Sequence, residues 1–143
     1  MRKVLNTMKL EIAAKSENES FARTCVAAFA TQLDPTLDDI NDLKTAVSEA
    51  VTNCVVHAET EKILIEATLY ANSVSITVTD FGIGIANIEK ALEPFYTTRP
   101  DEERSGMGFT VMQSFMDTLK VVNGEKCGTV VEMSKKFKAV NQV

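Results

Sequence analysis

At 143 residues the chain is long enough for one domain with its own core and too short for a multidomain receptor or motor. It is 45% hydrophobic and 24% charged, the balance of an ordinary globular protein, and its 20 acidic residues outweigh 15 basic ones for a net charge of −5. With no Lys/Arg-rich block it is poorly matched to nucleic acid or an anionic membrane, and apolar runs such as Val26 to Ala30 fall far short of the ~20 residues a bilayer span needs.

Met1-Arg2-Lys3 leads into an amphipathic segment rather than an apolar leader, so the expected location is cytoplasmic. Cys25, Cys54 and Cys127 are odd in number and widely spaced among apolar neighbours, as reduced thiols are, and a single His excludes a multi-histidine metal centre. No repeat or Pro/Gly/Ser linker divides the chain, and a single domain over 1–143 is expected.

Along the chain, Met8, Leu10 and Ile12 alternate with Lys9 and Glu11, the period of a strand with one buried face. Ser16 and Glu19 predict a capping box opening a helix whose apolar positions are Phe21, Cys25, Phe29 and Leu33, with Ala22 and Val26 beside them, ending at Asp34-Pro35. Thr36 and Asp39 repeat that start signal for a second helix through Leu43, Val47, Ala50 and Cys54 to about Val56. Ile63 to Leu69 and Val74 to Val78 alternate on either side of Ala71-Asn72-Ser73, a β-hairpin.

From Phe81 to Ser105 a long glycine-containing connection holds a short helical piece at Asn87 to Leu92, and such a loop in so small a protein is usually functional. A third helix is predicted through Phe109, Met112, Phe115, Met116 and Leu119, opening at Gly106-Met107-Gly108. Strands Leu119 to Val122 and Thr129 to Met133 then close the chain around Asn123-Gly124. Strands and helices without strict βαβ alternation predict an α+β, two-layer sandwich, with helices on one face of a mixed, mainly antiparallel sheet.

Three patterns carry chemistry. Asp80 is in phase with Val74, Ile76 and Val78, so its carboxylate faces the buried side, where it needs hydrogen-bond donors. Gly82 and Gly84 then open the backbone to a flat ligand, although a strand-end Asp capping a glycine turn would look the same. Glu49 and Asn53, at i and i+4, share a helix face away from the apolar stripe, suiting a general base beside an oxygen ligand for Mg²⁺, or simply a solvated face. Gly106 and Gly108 at a helix start, with Arg104 before them, offer N–H groups and positive charge to phosphate, while a plain helix start explains Gly106 alone.

Order and spacing make the set specific. Glu49-x-x-x-Asn53, Asp80-x-Gly82-x-Gly84 and Gly106-x-Gly108 together resemble the N, G1 and G2 boxes of the GHKL ATP-binding superfamily, whose members include gyrase and sensor histidine kinases. Asn18 to Arg23, Gln32 to Thr36, Val47 to Asn53, Thr97 to Pro100 and Glu103 to Phe109 narrow the likeness to the anti-sigma F factor family of endospore-forming bacteria, over about Met8 to Met133.

That resemblance implies the Bergerat fold and a homodimeric, ATP-dependent serine kinase. Such a kinase holds a sporulation sigma factor inactive and phosphorylates a serine of an anti-anti-sigma partner. It implies that Asp80 accepts the adenine amino group, that Asn53 holds Mg²⁺, and that Gly82 and Gly84 shape the ATP pocket. Thr98, Ser105, Gly106 and Gly108 would line the lid over the triphosphate, with Thr129 supporting the adenine. Glu49 would be the catalytic base, Arg104 would neutralise phosphate charge, and Arg23 would contact the protein partners. His57-Ala58 departs from the family's usual His-Gly, and Phe81 fills a spacer that is more often polar. The rival function is a non-catalytic nucleotide sensor that sequesters a sigma factor, against which stands Glu49 in register with Asn53.

Overall fold

The alternation through Met8, Leu10 and Ile12 builds β1 (Asn6–Ala13). The computed structural model describes residues 2–93, 108–124 and 128–138. After β1 come α1 (Glu17–Ala30), a 3-10 turn at Thr31–Leu33, α2 (Leu37–His57) and the hairpin of β2 (Lys62–Leu69) and β3 (Ser73–Asp80). A single turn, α3 (Ile88–Ala91), precedes α4 (Gly108–Phe115), β4 (Thr118–Asn123) and β5 (Thr129–Lys136).

The strands form one five-stranded sheet in the order β1-β2-β3-β5-β4, and every ladder is antiparallel. This is the expected α+β architecture, with a sheet antiparallel throughout its described strands. Ile63, Ile65, Ile76 and Val78 are fully buried, whereas their alternating neighbours Glu66, Thr77 and Thr79 are only half-buried. On the buried side α2 supplies Leu43, Ala46, Val47, Ala50 and Val51, all without exposed surface, and packs between α1 and α4. The order matters for the site. Because β5 inserts between β3 and β4, its first residues lie beside the end of β3, with Thr79 paired to Val130.

Local signals held unevenly. Thr36 caps α2 as its sequence predicts, its hydroxyl accepting the Asp39 N–H at 3.1 Å. Ser16 does not close the predicted capping box: it is already helical (φ −58°, ψ −31°), and the Glu19 carboxylate turns to Arg23, with Nε 3.0 Å from Oε2. On α1 the buried face is Ala22, Val26 and Ala30, while Phe21 is 54% exposed and Cys25 and Phe29 are half-buried. Small residues seat this helix closely, which leaves the bulkier stripe at its margin. Leu119, predicted at both a helix end and a strand start, belongs to β4, since α4 stops at Phe115.

Candidate functional site

Strand periodicity aims Asp80 inward, and it is 4% exposed. Its Oδ1 accepts the backbone N–H of Gly82 at 3.0 Å and of Thr129 at 3.2 Å. The Cys54 thiol lies 4.0 Å from Oδ2, a weak and long contact. Burial pushes the Asp80 carboxyl above the ordinary carboxylate range, and the Gly82 and Thr129 donors pull it part of the way back. Burial, and then the Asp80 charge, drive the Cys54 thiol upward, so it stays protonated and meets the carboxylate as a donor. The donors reaching Asp80 among the described residues are thus neutral, and Oδ2 keeps acceptor capacity for a ligand N–H.

Glycines surround this carboxylate because nothing larger fits. A Cβ on Gly128 would lie 2.1 Å from Asp80 Oδ1, and one on Gly82 would lie 1.7 Å from the Ala58 carbonyl oxygen. That same carbonyl accepts the Ile83 N–H at 2.9 Å, tying the end of α2 to the loop after β3. The His57-Ala58 departure is accommodated here. Ala58 keeps a helical φ of −81°, and Glu59 takes the left-handed conformation (φ 54°) that ends the helix. Gly84 has φ 76°, open to glycine at no steric cost.

Asn53 and Glu49 lie on the half-buried face of α2, one turn apart. The Asn53 carboxamide rests on the first turn of α4, where a Cβ on Gly108 would stand 2.9 Å from Oδ1. Cys54, the next residue along α2, contacts Asp80, so one turn of one helix joins the carboxamide to the buried acid. Asn53, Asp80, Gly82, Gly84, Gly108 and Thr129 are therefore drawn to one end of the sheet. Arg23 is on α1, paired with Glu19. Thr98, Arg104, Ser105 and Gly106 fall outside the described residues.

Sequence reasoning missed three participants. Gly128 carries the tightest approach to Asp80, and its only signal is a glycine just before a strand. Cys54 sits in the apolar stripe of α2 and reads as core. Asn123, expected in a hairpin turn, instead clamps the loop after β3: its Oδ1 accepts the Ile85 N–H at 2.9 Å and its Nδ2 donates to the Ile85 carbonyl at 2.8 Å. Phe81 is out of phase with Asp80, as its position implied, and lies exposed beneath the Lys62 ammonium, 4.8 Å from the ring centre.

Residues 12–135 match the histidine kinase-like ATPase domain. The chain is 56% identical over 140 residues to the anti-sigma F factor of Clostridium beijerinckii, covering 95% of this chain and 98% of that protein. The chain belongs to the anti-sigma F factor family. Another member of the family, from Clostridium acetobutylicum, is 58% identical over 135 residues, 92% of this chain and 94% of that one. The fold recurs in a structure of the RsbU and RsbW domains of a Mycobacterium tuberculosis protein, at TM-score 0.66 and 16% identity over 92% of this chain and 32% of that one. A mycobacterial sensor histidine kinase, MprB, shares it at TM-score 0.51 and 14% identity over 93% of this chain and all of that one. Among the described residues no helix is long and apolar enough to cross a membrane.

An ATPase domain of this kind implies ATP, usually with Mg²⁺. The residues fit both. Asp80 is a buried acceptor suited to an exocyclic amine, and glycines at 82 and 128 let the backbone close tightly around it, where a Cβ would strike the Ala58 carbonyl oxygen or the carboxylate itself. Mg²⁺ characteristically takes one or two protein oxygens and completes its shell with phosphates and water, which a lone Asn53 carboxamide beside the opening turn of α4 suits.

Proposed function

We propose that this chain is an ATP-dependent protein serine kinase and anti-sigma factor: it sequesters a sporulation sigma factor and phosphorylates a serine of the anti-anti-sigma protein that opposes it. The observation that carries the reading is the buried Asp80 carboxylate, met among the described residues only by neutral donors, at the same end of the sheet as Asn53 and Gly108 of α4. The names of the relatives support the sigma-factor half.

In this reading Asp80 accepts the adenine 6-amino group. Guanine carries an oxygen at that position, which would face a carboxylate with no proton to share, so the site selects ATP over GTP. Asn53 holds Mg²⁺, which when bound neutralises phosphate charge. Thr129 and Gly82 orient Asp80 and favour its ionised form through their N–H groups, partly offsetting burial. Gly84, Thr98, Ser105, Gly106 and Gly108 enclose the triphosphate, and Arg104 adds positive charge beside it.

Glu49, one turn before Asn53, takes the proton of the substrate serine as its Oγ attacks the γ-phosphorus. The Oγ–P bond forms, the bond from that phosphorus to the bridging oxygen breaks, and ADP leaves with the electron pair. Phosphoryl transfer depends mostly on alignment and charge, so losing the base should cost on the order of 10² to 10⁴ in rate with ATP affinity nearly unchanged. Arg23, on the outer side of α1, contacts both protein partners, the chain works as a homodimer in the cytoplasm, and residues 1–143 form one kinase domain.

The test is transfer of label from γ-labelled ATP to the anti-anti-sigma protein, run beside nucleotide-dependent sigma binding. One labelled serine with wild type and almost none with Glu49→Ala is expected. Full labelling with Glu49→Ala would remove the base assignment. No labelling with wild type, together with ATP-dependent sigma binding, would leave a nucleotide-sensing module in place of an enzyme.

A further inference from the structure

Lys135, near the end of β5, is 8% exposed, a rare degree of burial for a lysine. Its ammonium donates to the carbonyl of Phe115, the last residue of α4, at 2.8 Å. It also lies 3.8 Å from the Asp39 carboxylate and 3.6 Å from that of Asp42, both at the start of α2. Asp39 is itself buried, and its second oxygen accepts the Lys138 N–H at 2.8 Å. One cation thus joins the far end of the sheet, the first turns of α2 and the negative end of the α4 dipole.

The opposite end of α4 meets α2 a second time, where Gly108 lies against the Asn53 carboxamide. Between these two contacts α4 has eight residues, and Met112 is the one large side chain on it that is fully buried. Phe109 packs on the core beside it, and the buried Met116 follows directly after the helix. Apolar contacts of this kind carry no direction, so the polar contacts at Gly108 and Phe115 select where α4 stands along the groove. Buried ion pairs add little net stability over apolar packing, but their directional partners select one arrangement.

We propose that Lys135 is a positioning residue of the nucleotide site: by holding the C-terminus of α4 to Asp39 and Asp42, it sets where the N-terminal turn of α4 stands beside Asn53. The inference rests on the reading of that turn as the triphosphate end of an ATP pocket. It acts at a distance from the adenine, because Asp80 lies at the other end of β3 from the Ser73 to Lys136 pairing beside which Lys135 sits. Loss of Lys135 should therefore weaken phosphate recognition and spare adenine recognition.

The experiment compares affinities for Mg-ATP, by calorimetry, and for AMP, by NMR titration, in the full chain. For Lys135→Met, ATP affinity should fall about tenfold and AMP affinity by less than about twofold, with Lys135→Arg recovering most of the loss. Asp42→Asn leaves Lys135 its Asp39 and Phe115 partners, so it carries the test should Lys135→Met fail to fold, with an expected ATP loss of about two- to threefold and AMP again spared. Equal loss of both ligands, or loss of neither, in whichever variant folds would overturn the proposal. Asp80→Asn in parallel separates the two claims. Unchanged ATP affinity there refutes the nucleotide site, and with it any role of Lys135 in that site. Lost ATP affinity there, with an unaltered ATP-to-AMP ratio in the Lys135 and Asp42 variants, refutes the brace alone.

Discussion

Two charges are buried toward opposite ends of the same pair of strands, and they are treated differently. Lys135 meets two carboxylates and a helix-terminal carbonyl. Among the described residues, Asp80 meets two backbone N–H groups and a thiol. A buried charge answered by opposite charge is finished as a structural element, whereas one answered only by neutral donors retains a demand that a ligand can meet. The pairing tells brace from binding site with no reference to a relative.

The sharpest way to break this contrast is to remove each charge and measure stability. Lys135→Met strands the buried Asp39 carboxylate beside the partly exposed Asp42 and should cost about 3 kcal/mol by denaturant unfolding. Asp80→Asn should cost almost nothing, or stabilise, since Asn keeps an oxygen for the Gly82 and Thr129 donors and sheds an unpaired charge. Equal losses from the two would erase the distinction.

Ligand affinity reverses the ranking. Asp80→Asn should weaken ATP binding by roughly 1.5–3 kcal/mol, about 10- to 150-fold, the scale of a hydrogen bond to a charged group, as read by calorimetry. The pH dependence has a definite sign. The folded Asp80 binds its proton more tightly than the unfolded chain does, because burial raises its pKa above the ordinary value of 3.8. As pH rises from 3.8 through the raised value, this one group makes folding progressively less favourable. Over the same window ATP affinity should rise, since only the ionised acid accepts the amine. Both trends should vanish in Asp80→Asn, and an unchanged acid limb there would remove Asp80 from recognition.

Two smaller effects sharpen the pocket end. Gly128→Ala forces a methyl to within 2.1 Å of Asp80 Oδ1. It should cost about 1–3 kcal/mol in stability, and because the carboxylate must move, ATP affinity should fall with it. Thr36→Ala removes the α2 cap. It should cost about 1 kcal/mol by thermal unfolding, with ATP affinity little changed, since the Asp39 carboxylate keeps its contacts to Lys135 and Lys138.

The local periods were legible in the sequence because they depend on neighbours a few positions away. The alternation of Val74, Ile76 and Val78 was enough to turn Asp80 inward, and the i, i+4 relation put Glu49 and Asn53 on one face of α2. Spacing made the three glycine and acid boxes recognisable as a set. Contacts set by strand order were not legible. Thr129 and Gly128 reach Asp80 only because β5 inserts beside β3, and nothing local to either segment encodes that insertion. Ser16 and Glu19 carried a valid capping signal, but Arg23 offered Glu19 a charged partner one turn on, and the ion pair formed instead. Phe21 and Ala22 are adjacent and both apolar, and which of them is buried depends on how closely a second helix approaches. Sequence alone thus determined most of the elements, the buried faces of α2 and of the strands, and the candidate chemistry, through interactions of short range. Tertiary structure decided which donors surround the acid, where Asn53 meets α4 and how Lys135 is neutralised, because those depend on segments brought together across many tens of residues.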